Sequence, residues 1–273
     1  MRWLAALGLS SLLMASLQAA EFSEQEPNTG SIRIVPVDPT PEADQVTTEI
    51  VFPQEGEVKS GVVSVEVKIA GFPIGNMSDF PRKNEIYDDP EGQAIYLIVD
   101  DNDPIILNES LVDALDNNEN YYEELLESKI PFQLDDGMHV LQTFPVRSFR
   151  ESLKGDGCYN MRVFYYRLQK DNLNFDEDAP YLTYNQPLGE YTYHRRKPIL
   201  LDFYLNNCQL SKDGYKVRLT IDKEAPRTLT AWVPYFLYGL QPGSHTIRLE
   251  LLSPQNKRVP GIFNDVTRTI TIQ

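Results

Sequence analysis

The stretch VVSVEVKI, residues 62–69, sets Val63, Val65, Val67 and Ile69 on one face and Ser64, Glu66 and Lys68 on the other. A period of two belongs to a strand with one side buried. AIYLIVD (94–100), MHVLQTF (138–144) and YNMRVFYYR (159–167) read as further strands, and so do ILLDFYL (199–205), YKVRLTID (215–222), RTLTAW (227–232), YFLYGL (235–240), HTIRLELL (245–252) and VTRTITI (266–272). Short strands separated by Gly, Pro, Asn and Asp clusters predict an antiparallel sandwich or barrel. One stretch departs from the pattern. In NESLVDALDNNENYYEELLES, residues 108–128, Leu111, Leu115, Tyr122 and Leu126 recur at helical spacing, which predicts a short helical insertion broken near Asp116.

The strand pattern is written twice. IVDDNDP (98–104) aligns without gaps on TIDKEAP (220–226), and LDDGMHVL (134–141) on LQPGSHTI (240–247). The first copy carries about 16 more residues between these anchors, essentially the segment with helical spacing, as tandem units of one architecture would. GLQPGSHTIRLELL, followed by a polar turn and a last alternating strand, resembles the final strands of bacterial immunoglobulin-like and fibronectin type III-like domains. In those families a Pro-Gly turn leads into a strand opened by an aromatic residue, and His245 stands at that position here. Such a ring can tie the strand's start back to an upstream backbone group. The resemblance implies an all-β chain of two tandem antiparallel Ig-like sandwiches, the first spanning 46–168 and the second 181–273, joined by a linker at 169–180. It implies no particular function, because these sandwiches serve many.

The chain opens MRWLAALGLSSLLMASLQAAE, where Arg2 precedes an apolar run that ends in Ala19 and Ala20. This reads as a secretory signal peptide over residues 1–20 and predicts export to a periplasmic or extracellular setting. The apolar run is short for a membrane span, and no second one follows, so the mature chain is expected to cross no membrane. Residues 21–45, rich in Pro, Glu and Asp, read as a disordered tether that could hold one edge strand in IRIVPV. The formal charge of -15 sits almost entirely in the first 170 residues. A surface of that sign repels phosphate backbones and excludes nucleic acid as a partner.

Cys158 and Cys208 either remain separate buried thiols or, in an oxidising compartment, form a disulfide across the two domains. The bond would close a loop of about 50 residues and contribute on the order of 4 kcal/mol. Asp100, Asp101 and Asp103 resemble the Asp-Asn-Asp run of cadherin linkers and offer several oxygens for calcium. The second copy, however, keeps Asp222 and Pro226 but has Lys223, Glu224 and Ala225 between them, so the repeated feature is a turn. His139 and His245 share a repeat position and predict a shared structural task. No G-x-S-x-G elbow, HExxH spacing or Gly-rich phosphate loop is present, so a non-enzyme is expected. A protein partner at the envelope or cell surface is the leading expectation, with Tyr121 and Tyr122 of the insertion as candidate contacts. Tyr191, Tyr193 and Trp232 are the candidates for the alternative, a glycan. A third reading is a calcium-stabilised adhesion protein. The run Arg195-Arg196-Lys197 reads as a solvated hinge that could also pair with the acidic first domain.

Overall fold

The computed structural model describes residues 32–109, 112–115 and 122–273. The expected signal peptide and Tyr121 lie outside this set, as does the side chain of Tyr122. The first sandwich contains β2 (Thr47–Phe52), β3 (Val58–Lys59), β4 (Ser64–Ala70), β5 (Ala94–Val99), β6 (Ile105–Leu107), β7 (Val112–Leu115), β8 (Tyr122–Lys129), β9 (Gly137–Val146) and β10 (Asn160–Tyr166). The second contains β11 (Tyr181–Gln186), β12 (Glu190–Tyr191), β13 (Ile199–Asn206), β14 (Lys216–Ile221), β15 (Arg227–Leu229), β16 (Tyr235–Tyr238), β17 (Gly243–Leu252) and β18 (Asp265–Ile272). Ahead of both runs β1 (Arg33–Pro36).

Two tandem Ig-like sandwiches make up this all-β chain. In the first, sheet β2-β4-β8-β7 faces sheet β3-β10-β9-β5-β6; in the second, β11-β13-β16-β1 faces β12-β18-β17-β14-β15. The correspondence reaches local detail. β2 and β11 each shift register after their fourth residue, Ile50 and Tyr184, and β3 and β12 each pair parallel with the last strand of their sandwich. Val65, Val67 and Ile69 of β4 point into the first core and Ile199, Leu201 and Phe203 of β13 into the second, as their alternation requires.

The expected helical insertion is corrected. Within 108–128 the described residues from Val112 onward are strands, β7 and β8, and residues 123–129 of β8 pair with β4. Leu126 enters the first core, and Glu124 is buried and accepts a hydrogen bond from Ile74 N at 2.8 Å. Pairing with a Val-rich neighbour outweighs a weak helical period.

The disordered tether is corrected from Ile32 onward. β1 pairs antiparallel with β16, and Ile32 belongs to the core of the second sandwich. Its position has a structural logic. Sheet order places β7 beside β8 in the first copy and β1 beside β16 in the second. The second copy has only residues 230–234 between β15 and β16, too few to supply its own strand there, and the chain's beginning fills the slot. The connection back to β2 is tied down as well: Thr40 N and Oγ1 each donate to Glu151 at 2.8 Å, and Lys154 N donates to Glu42 Oε2 at 3.0 Å.

Outer faces explain the unbroken apolar strands. Ile95, Leu97 and Val99 of β5 face their own core, while Ala94, Tyr96 and Ile98 pack with Phe144, Val146 and Tyr204 in a cluster between the sandwiches. Tyr204 meets Phe144, Tyr159 and Trp232 at ring separations of 5.3, 5.0 and 5.5 Å. Phe175, from the expected linker, packs on Tyr181 and Phe263. Residues Ile32–Gln273 therefore form one compact unit. At its centre Asp202 receives Ser152 N at 3.0 Å, Ser152 Oγ at 2.6 Å, Asn185 Nδ2 at 2.6 Å and the Lys154 ammonium at 2.7 Å.

Candidate functional site

The two strand-to-strand turns marked by the sequence repeat are built alike. Asp100 and Asp222 adopt left-handed backbone, φ +54° and +51°, a region that Asp tolerates better than most residues. Asp100 Oδ2 lies 2.7 Å from His139 Nδ1, its Oδ1 accepts from Val140 N at 2.9 Å, and His139 Nε2 sits 2.8 Å from the Asp135 carbonyl. In the second copy Asp222 Oδ2 lies 2.7 Å from His245 Nδ1, its Oδ1 accepts from Thr246 N at 2.8 Å, and His245 Nε2 lies 2.8 Å from the Gln241 carbonyl. Both ring nitrogens face acceptors, so the imidazolium form satisfies every partner. This is the backbone tie expected of His245, made twice.

Burial opposes the charge on each ring, yet the aspartate, the backbone carbonyl and their fields outweigh it and raise both histidine pKa values above 6.5. The stabilisation is therefore complete at and below the ordinary histidine range and is lost as pH rises through the raised value. The melting temperature should fall across that window, and a His139→Gln/His245→Gln variant should lose this slope. An unchanged slope in the double variant would show that other groups carry it.

The acidic turn is engaged by contacts within the protein. Asp100 is committed to His139 and Val140, Asp103 lies 2.7 Å from Arg268 Nε of the second sandwich, and the Asp101 and Asn102 carbonyls accept from the same guanidinium. The turn clasps the two sandwiches. Among the described residues no group of three or more His, Cys, Asp or Glu side chains is placed to hold a metal. Cys158 and Cys208 are free thiols in different cores, so the structure does not contain the interdomain disulfide. Burial raises Cys158 to about 12 and Cys208 to about 11, which keeps both protonated.

The candidate aromatic surface is largely used inside the protein. Tyr191 donates to Gln186 Oε1 at 2.9 Å and accepts from Leu188 N at 3.1 Å. Trp232 donates to the Phe203 carbonyl at 2.9 Å and packs on Tyr204. Tyr193 differs: it is half-buried and lines an open cavity at one end of the second sandwich.

That cavity, of about 560 Å³, is the candidate site. Ile199, Leu237, Leu240 and Ile272 form its floor, where the ends of β13, β16 and β18 meet the turn before β17. Thr192, Tyr193, His194, Arg195 and Lys197 form its rim. The loop is anchored by Tyr193 N donating to the Gln273 carbonyl at 2.6 Å and by Lys197 N donating to the His194 carbonyl at 3.2 Å. Opposite, Gln241 is held through its carbonyl by His245, so the second Asp-His tie positions one wall. The rim loop covers 192–198, whereas its counterpart between β3 and β4 covers only 60–63. The longer loop adds Arg195, Arg196 and Lys197, all exposed. None of the three has a carboxylate within ion-pairing distance among the described residues, so the expected pairing with the acidic first domain is not made there.

No protein-family model and no curated protein sequence matches the chain. Solved structures share its architecture loosely. The fibronectin(III)-like modules of CbhA from Clostridium thermocellum align over 83% of this chain and 94% of theirs, at 10% identity and a TM-score of 0.28. The dimeric latent PorU of Porphyromonas gingivalis aligns over 83% of this chain and 20% of its own, at 12% identity and a TM-score of 0.29. SGBP-B from the mixed-linkage glucan utilization locus of Bacteroides ovatus, solved with a mixed-linkage heptasaccharide, aligns over 88% and 64%, at 12% identity and a TM-score of 0.21. Among the described residues no helix is long and apolar enough to cross a membrane.

Proposed function

We propose that the protein is exported, with cleavage after Ala19 or Ala20, and serves outside the cytoplasm as a non-catalytic binding module for a protein partner at the cell envelope or surface. The observation that carries this reading is the cavity at the end of the second sandwich: apolar below, with cations above it that have no ion-pair partner among the described residues, and mounted on a frame of two interlocked sandwiches. Loops at the end of a rigid sandwich present contacts at little ordering cost. The Asp-His tie, the buried Asp202 cluster and β1 all fix that frame and leave the rim loop free to meet a ligand.

Thr192→Trp places an indole at the mouth without removing a cation or a core side chain. Capture from native envelope extract by the chain from Glu21 onward should retain a partner that the Thr192→Trp chain does not. Equal capture by both chains would remove the cavity from the interaction.

A further inference from the structure

We infer that the cavity takes an acidic peptide segment with one bulky apolar side chain seated on its floor. This deepens the proposed binding function and rests on it for the site, while the ligand class stands on separate observations. The floor of Ile199, Leu237, Leu240 and Ile272 is aliphatic, whereas its rim carries Arg195 and Lys197 with Arg196 beside them. In a chain of net charge -15 these cations stand in the near-neutral part, with no ion-pair partner among the described residues. Left unpaired they are solvated charges, and a ligand bearing carboxylates meets them with no internal ion pair to break. The same net charge argues against a long polyanion, since a nucleic acid strand extending past the rim would meet the acidic first sandwich. A short run such as Glu-Glu-Leu-Glu-Glu matches both halves of the site.

The test uses fluorescein-labelled peptides and the chain from Glu21 onward, read by anisotropy. One peptide carries Leu flanked by glutamates, the second has Gln for each Glu, and the third has Gly for Leu. A mixed-linkage β-glucan oligosaccharide is added as competitor. The Glu peptide should bind, about tenfold more weakly after Glu→Gln replacement, and more weakly still at 0.5 M salt. Arg195→Glu/Lys197→Glu should reduce its affinity by about tenfold or more, with unchanged thermal melting because both side chains are exposed. Replacing Leu by Gly should also cost about tenfold. No binding of the Glu peptide, binding equal to that of the Gln peptide, indifference to the charge reversal, or displacement by the oligosaccharide would each overturn the inference. If the envelope partner is still lost with Thr192→Trp while the Glu peptide fails, the ligand class is wrong and the site stands. If the Glu peptide binds equally to Thr192→Trp, the site is wrong as well.

Discussion

A chain that begins at Asp38 should be less stable than one that begins at Glu21 by on the order of 4 kcal/mol or more, with the loss centred on the second sandwich. Removing β1 uncovers the edge of β16 and takes Ile32 and Ile34 out of the second core, and Val37 out of the cluster it shares with Leu200 and Phe236. Each partly buried aliphatic side chain contributes about 1–2 kcal/mol, and each ladder hydrogen bond about 1 kcal/mol net. Trp232 lies in the second sandwich, so its fluorescence in urea reports the loss where it occurs. A peptide spanning residues 31–38 added in trans should recover part of the transition midpoint. Equal midpoints for the two chains would mean that β1 only rests on the sheet.

Asp202→Ala should be the most damaging single substitution among the polar residues. It leaves the Lys154 ammonium, whose side chain is 11% exposed, without its partner, and orphans donors from Ser152 and Asn185. Breaking one half of a buried ion pair costs about 3–5 kcal/mol, whereas replacing both halves with apolar groups is often near neutral. Asp202→Leu/Lys154→Met should therefore melt well above Asp202→Ala. If the single and double variants melt together, the cluster is a polar contact of little energetic weight. Because Ser152 and Lys154 belong to the first sandwich and Asn185 and Asp202 to the second, the substitution should also loosen the two bodies from each other.

The strand framework and its duplication were legible because both are written locally. Alternation marks β4, and the Asp and His anchors repeat at fixed offsets. The turn reading of Asp100 and Asp222 came from comparing the copies, since only what both retain can be a shared device. The sequence concealed what depends on distant partners. IRIVPV shows an edge strand within the tether, but carries no local sign that its partner is YFLY some 200 residues later. EELLES offers apolar residues compatible with two periods, and only the neighbouring β4 decides between them. The acidic turn looks like a metal site because Arg268, which accounts for Asp103, lies in the other sandwich. AIYLIV and ILLDFYL carry apolar residues on both faces, but nothing local tells what the second face packs against. The site was visible only in part. Tyr193 and the basic run were singled out, but nothing local indicates that Leu237, Leu240 and Ile272 would form a floor beneath them.

Amide hydrogen exchange at Val35 and Val37 tests most directly whether the start of the chain closes the second sandwich. Val37 N donates to the Pro234 carbonyl at 2.9 Å, and antiparallel alternation gives Val35 the same role against Phe236. The account predicts that both amides are protected and open together with those of β16. Exchange of these two amides at the rate of an unstructured peptide, while β16 stays protected, would contradict it.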